Sequence, residues 1–150
     1  MRRKRLLRGG IAAAVLVTLS AGIALATPSI GVVSQVFARV PVDDPIKIRT
    51  FHQSDFVVQT LTIQPGGTTG WHSHPGPTIV AVTEGTLVLS HENCQSRTFA
   101  AGTGFFQPAN EVHVARNPST HERTVVFATY VLPPGAPIRI DQPNPGCPFE

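Results

Sequence analysis

The segment GGTTGWHSHPGPTIVAVTEG, residues 66–85, contains the pair of histidines from which the fold of this chain can be predicted. His72 and His74 are separated by one residue, and in an extended strand residues i and i+2 point to the same face. Two imidazoles on one face converge on one point, as ligands of a metal ion do. The pair alone leaves a structural role open, because a core histidine is often only hydrogen-bonded.

Around this segment the sequence has the pattern of short β-strands. In residues 56–63, Val57, Leu61 and Ile63 fall on one side with a period of two, which is typical of a half-buried strand. Similar runs lie at residues 78–83, 86–90, 105–106, 112–115 and 124–132, with turn residues between them. No segment after residue 26 has helical periodicity. The pattern predicts an all-β sandwich or barrel.

Two spaced motifs narrow this prediction. They are Gly66-x5-His72-x-His74-x3-Thr78-x6-Gly85 and Gly102-x5-Pro108-x-Asn110-x2-His113-x3-Asn117. Together they resemble the two-motif signature of the cupin family, over about half of the chain that follows residue 26. The resemblance implies a double-stranded β-helix, or jelly-roll barrel, with a metal at its mouth. It also implies that His72, His74 and His113 are the metal ligands.

The sequence departs from the family pattern at two positions. Thr78 stands where the family usually has a glutamate as fourth ligand, and Asn110 stands in place of a glycine. Asparagine also accepts left-handed backbone conformations, so only the first change alters the chemistry. Without that carboxylate manganese is less favoured, and we expect a divalent transition metal from among Fe, Cu, Zn and Ni.

Other residues are weaker candidates for the site. Glu111 precedes His113 by two residues and either supplies a nearby carboxylate or is solvated in the turn. A set of aromatic residues either lines a pocket around the metal or packs the core: Trp71, Phe105, Phe106, Phe127 and Tyr130. We expect the remaining histidines, His52, His91 and His121, at the surface.

The N-terminus has the features of an export signal. Five of the twelve basic residues lie within the first eight positions, an apolar run follows, and Ala24-Leu25-Ala26 fits a cleavage site. The alternative is an uncleaved segment that anchors the chain in a membrane. Beyond residue 26 only seven basic residues remain against nine acidic ones, and they are scattered, so a nucleic-acid partner is not expected.

Two cysteines follow the signal, and exported proteins meet an oxidising compartment. We therefore expect a disulfide between Cys94 and Cys147, which closes a loop of about fifty residues and is worth roughly 2–4 kcal/mol. The alternative is two unpaired thiols. The disulfide would pin the proline-rich tail, which we expect to run extended over the surface because prolines cannot donate ladder hydrogen bonds.

The predicted organisation is a signal peptide at residues 1–26, an arm or edge strand at 27–50, a barrel at 51–132 and the tail at 133–150. Two functions fit these observations. One is a secreted, metal-dependent oxidoreductase or dioxygenase acting on a small organic molecule. The other is a non-catalytic module that binds metal or a small ligand, and either form is compatible with a homodimer. The fold cannot choose between them, because one fold hosts many functions.

Overall fold

The computed structural model describes residues 29, 31–50 and 52–149. The chain divides into two compact units, Met1–Ser34 and Gln35–Glu150, and all strands described here lie in the second. The predicted signal segment, residues 1–26, lies outside the described residues. Among the residues that are described, no helix is long and apolar enough to cross a membrane.

The described part of the second unit consists of β-strands and connecting turns, which confirms the all-β prediction. The strands are β1 Asp55–Ile63, β2 His72–Ser73, β3 Thr78–Glu84, β4 Thr86–His91, β5 Ser96–Ala100, β6 Gly104–Gln107, β7 His113–Arg116, β8 Thr124–Leu132 and β9 Ile140–Asp141. They form two sheets, with strand orders β1-β8-β3-β6 and β5-β4-β7-β2-β9. All pairings between these strands are antiparallel.

The core lies between the two sheets and follows from alternation along the strands. In β3 the buried residues are Thr78, Val80 and Val82, and the residues between them are more exposed. The same period of two places Leu87 and Leu89 of β4 inside. One apolar cluster therefore fills the barrel, and the buried Thr78 lies on the same inward-facing side of β3 as Val80 and Val82.

A close approach between turns and strands requires glycine at two positions. Gly85 joins β3 to β4 with a φ of +70°, and a Cβ there would press against the carbonyl oxygen of Arg123. A Cβ on Gly76 would overlap the carbonyl oxygen of Val131. Glycine therefore provides the left-handed backbone at Gly85 and the absence of a side chain at both positions.

Asp44 holds the arm that precedes the barrel. Asp44 accepts hydrogen bonds from the Arg97 guanidinium at 2.8 Å and from the backbone N–H of Phe106 at 3.1 Å. Val42 forms a parallel bridge with Gly104 at the start of β6. The arm thus runs along the open edge of the first sheet and covers part of it.

The C-terminal tail contributes more than the extended surface segment expected from its prolines. Ile140–Asp141 forms β9, which pairs with β2 through His72↔Asp141 and Ser73↔Ile140. Cys147 is buried and forms the expected disulfide with Cys94. The prolines lie outside the two paired residues, so a short strand can form within a proline-rich segment.

Candidate metal centre

Three histidines meet at one end of the barrel because of strand register. His72 in β2 lies directly opposite His113 in β7, so their side chains share a face. His74 follows on the same side, two residues after His72. The ring centroids lie 4.3–5.1 Å apart. One potential ligand atom from each residue lies within 4.8 Å of the others, so the three are able to hold one metal ion.

Each imidazole is oriented by a backbone carbonyl. The Nδ1 atoms of His72, His74 and His113 lie 2.8, 2.6 and 2.9 Å from the carbonyl oxygens of Gly70, Ile138 and Glu111 respectively. A carbonyl oxygen only accepts, so each Nδ1 carries the proton and donates it. Every Nε2 is then left with a free lone pair, which is the form that ligates a metal.

Burial keeps these imidazoles neutral. It lowers the pKa of His72 to about 4 and that of His113 to about 3, and it lowers the pKa of His74 as well. The mutual repulsion of the protonated rings acts in the same direction for His72 and His113. At neutral pH protons therefore do not compete for the three Nε2 atoms, and the residues fit a divalent transition metal.

The second motif is tied to the first by its turn. Asn110 has a φ of +63°, the left-handed conformation expected from its sequence position. Its backbone N–H donates to the carbonyl oxygen of His74 at 2.7 Å. At the far end of β7, the buried amide of Asn117 donates to three backbone carbonyls, those of Ile63, Gln64 and Glu122. Both ends of the strand that carries His113 are thereby fixed.

The comparison with known proteins identifies the family. The family model described as the cupin domain matches residues 59–137, which include all three histidines. The chain belongs to the cupin family. No curated protein is similar enough to this cupin to count as a relative.

Solved structures share its fold. A cupin-like protein from Thermotoga maritima is 26% identical with a TM-score of 0.53, over 59% of this chain and 65% of that protein. A DMSP lyase from Ruegeria pomeroyi is 15% identical with a TM-score of 0.53, over 61% of this chain and 45% of the lyase. This cupin therefore spans less than two thirds of the length of either protein. At 15% identity, the similarity to the lyase shows only that the two proteins share a fold.

The histidines of this cupin face a small cavity inside the barrel, with a volume of about 50 Å³. Thr78 lines it, as proposed from the sequence, together with Phe105 and Tyr130. The hydroxyl of Tyr130 donates to Gln59 at 3.2 Å, and burial raises its pKa to about 12. The remaining wall is largely aliphatic, so the metal-facing space is small and mostly apolar.

Three other candidates from the sequence lie outside this cavity. Trp71 precedes His72 and points to the opposite face, where it stacks on Phe149 at 6.1 Å. Phe106 alternates with Phe105 and faces outward, beside a surface groove. Phe127 likewise lies on the outer face of β8, where it stacks on Phe37. Alternation along a strand separates each of them from the site.

Glu111 and His91 form a pair at the edge of the site. His91 lies opposite His113 in the β4–β7 pairing, and its Nδ1 is 3.0 Å from a carboxylate oxygen of Glu111. Glu111 therefore contacts His91, and it reaches His113 only through its backbone carbonyl. His91 is half-buried, unlike the exposed His52 and His121, because its strand continues to the site.

Sequence reasoning missed two contributors to the site. Gln107 is buried and lines the cavity, and its position two residues after Phe105 on an alternating strand was a usable signal. Ile138 supplies the carbonyl that orients His74. Ile138 lies in the tail, 64 residues after His74, and no local sequence pattern predicts a contact over that distance.

Proposed function

We propose that this cupin is an exported protein that holds a divalent transition metal on His72, His74 and His113. At that metal it would carry out oxidoreductase or dioxygenase chemistry on a small organic molecule. The observation that carries the proposal is that three buried Nδ1–H groups are bonded to backbone carbonyls. Three neutral Nε2 donors therefore face one point.

The donor set bears on the identity of the metal. Three imidazoles with no carboxylate at position 78 favour Fe, Cu, Zn or Ni over manganese. A bound metal of this kind supplies a Lewis acid and, when it is iron or copper, a redox centre. Three protein donors leave coordination positions for a ligand from the cavity.

The protein residues hold, orient and shield the ligand. The wall is largely aliphatic and aromatic, and the carbonyls of Gly70, Ile138 and Glu111 fix the imidazoles. Among the described residues that line this cavity, Tyr130 is the sole titratable one apart from the three histidines. Its raised pKa keeps it protonated. None of the described side chains that line the cavity is therefore free to act as a general base. This favours a reaction at the metal that needs no proton transfer to a side chain.

A second candidate is a binding module without turnover. The cavity volume of about 50 Å³ favours it, because that space admits only a few atoms beside the histidines. The two candidates are distinguished by the metal. Iron or copper with oxygen uptake would support the enzyme, and zinc without turnover would support the module.

Export is supported by the Cys94–Cys147 disulfide, since such bonds persist in oxidising compartments. The test is the N-terminal sequence of protein recovered from outside the cytoplasm. A chain beginning at Thr27 supports a cleaved signal, and an intact Met1 supports an anchor.

The metal proposal is tested with His72→Ala, His74→Ala and His113→Ala proteins. Each should lose most bound metal after dialysis, because each remaining site has only two imidazoles, while circular dichroism still shows a β-barrel. His121→Ala, which removes an exposed histidine, is the matched control and should keep its metal. Full metal occupancy in His113→Ala would contradict the proposed site.

A further inference from the structure

Two of the buried side chains that line the cavity have a polar atom with no hydrogen-bond partner in the described part of the chain. Thr78 in β3 and Gln107 in β6 are directly opposite each other in the sheet, so their side chains share the inner face. Their exposed fractions are 1% and 3%, and both line the cavity with the three histidines. Neither Oγ1 of Thr78 nor Nε2 of Gln107 has a hydrogen-bond partner among the residues that the structure describes.

Such groups require an explanation. Buried hydroxyl and amide groups are nearly always hydrogen-bonded. A polar group that is buried without a partner loses its hydrogen bonds to water, and nothing in the interior compensates for that loss of free energy. Elsewhere in this barrel the rule holds for a comparable residue. Thr124 is fully buried, and its hydroxyl donates to the carbonyl of Thr86 at 2.7 Å. Thr78 and Gln107 line the same cavity as the histidines, where a ligand of the metal would lie.

The charges of the side chains around the cavity indicate which kind of ligand fits it. No carboxylate, thiol, lysine or arginine is among the described residues that line it, and each of its histidines donates the Nδ1 proton to a backbone carbonyl and leaves Nε2 as a neutral ligand. A divalent metal on three neutral ligands would leave an uncompensated double positive charge in an apolar enclosure. An anion offsets that charge, and both unpartnered side chains offer hydrogen-bond donors to it.

We propose that Thr78 Oγ1 and Gln107 Nε2 donate hydrogen bonds to an oxygen of a small carboxylate ligand held beside the three histidines. This inference rests on the proposed function, because the carboxylate is drawn by the bound metal. A volume of about 50 Å³ selects short carboxylates, of the size of formate or acetate, or the carboxylate end of a longer molecule.

The test is calorimetric titration of formate into zinc-loaded protein. The natural chain should bind formate, and Thr78→Val and Gln107→Leu should each weaken binding about tenfold while keeping their zinc. Thr124→Val is the matched control, because it removes a buried hydroxyl outside the cavity. It should lose stability and keep its formate affinity.

Thermal unfolding of metal-free protein gives a second readout that does not depend on the ligand. Thr78→Val should melt at the same temperature as the natural chain or above it, because it removes an unpartnered group. Thr124→Val should melt several degrees lower. If Gln107→Leu does not fold, Thr78→Val decides the question alone.

Three results would overturn the inference. The first is equal formate affinity in the zinc-loaded natural, Thr78→Val and Gln107→Leu proteins. The second is that the zinc-loaded natural chain does not bind formate. The third is that Thr78→Val melts at a temperature as low as that of Thr124→Val. The second result would mean that only water occupies the polar pair. If zinc itself fails to bind, the proposed function fails with this inference, and the zinc content measured beforehand separates the two cases.

Discussion

Acidification should destabilise the metal-free protein through its buried histidines. Burial lowers the pKa of His72 to about 4 and that of His113 to about 3, whereas both groups titrate near 6.5 in an unfolded chain. Between about pH 6.5 and those lower values the unfolded chain binds protons that the folded chain does not. Stability therefore falls as pH falls through this window and is unaffected by these groups above it.

The magnitude follows from the size of the two shifts. Within the window each such histidine contributes a slope of about 1.4 kcal/mol per pH unit. From pH 7 to pH 4.5 this amounts to about 2.5 kcal/mol for each of the two, or roughly 5 kcal/mol together. That is a large share of the 5–15 kcal/mol that stabilises a typical domain. His74 acts in the same direction.

The assay is urea unfolding of chelator-treated protein at pH 7 and pH 4.5, with the His113→Gln variant beside the natural chain. The glutamine removes a titrating group and keeps a neutral polar side chain at the site. Its loss of unfolding free energy over this range should be smaller by about 2.5 kcal/mol. Carboxylates also titrate here, but their contribution is common to both proteins and cancels in the difference.

His121→Gln is the control, because His121 is exposed, and it should lose as much stability on acidification as the natural chain. An equal loss in His113→Gln would refute the reasoning. His113 would then titrate near its ordinary pKa in the folded state, and its burial would not determine its protonation.

Three further predictions concern the disulfide, the second motif and the fourth ligand position. Cys147→Ala should lower the free energy of unfolding by about 4 kcal/mol, since the disulfide joins residues 53 apart. Reductant should cause the same loss in the natural chain. An unchanged urea midpoint in either case would contradict the stabilising role of the disulfide. Asn117→Ala should cost about 2–4 kcal/mol by urea unfolding, because three backbone carbonyls lose a buried donor, and a loss below 1 kcal/mol would argue against that role. Thr78→Glu should raise manganese retained after dialysis, because it adds a carboxylate donor at the cavity; unchanged retention would mean that position 78 does not reach the metal.

Most of the strands could be predicted because their information is local. Alternation of apolar and polar residues placed β1, β3, β4 and β8 within a residue or so of their observed bounds. Two short strands were not predicted from the sequence. β5, Ser96–Ala100, is mostly exposed and has no apolar stripe, and β9, Ile140–Asp141, has only two residues. Neither leaves a periodic signal.

By itself, the sequence determined that the chain is all-β and that His72 and His74 share one strand face, because periodicity and spacing are properties of the chain alone. The resemblance to the cupin motifs added His113 as the third ligand. Only the tertiary structure decided what surrounds those histidines. The carbonyl that orients His74 comes from the tail, and the unpartnered Thr78 and Gln107 meet across two strands. Hydrogen bonding and burial between residues so far apart depend on how the two sheets pack, and no stretch of sequence encodes that locally.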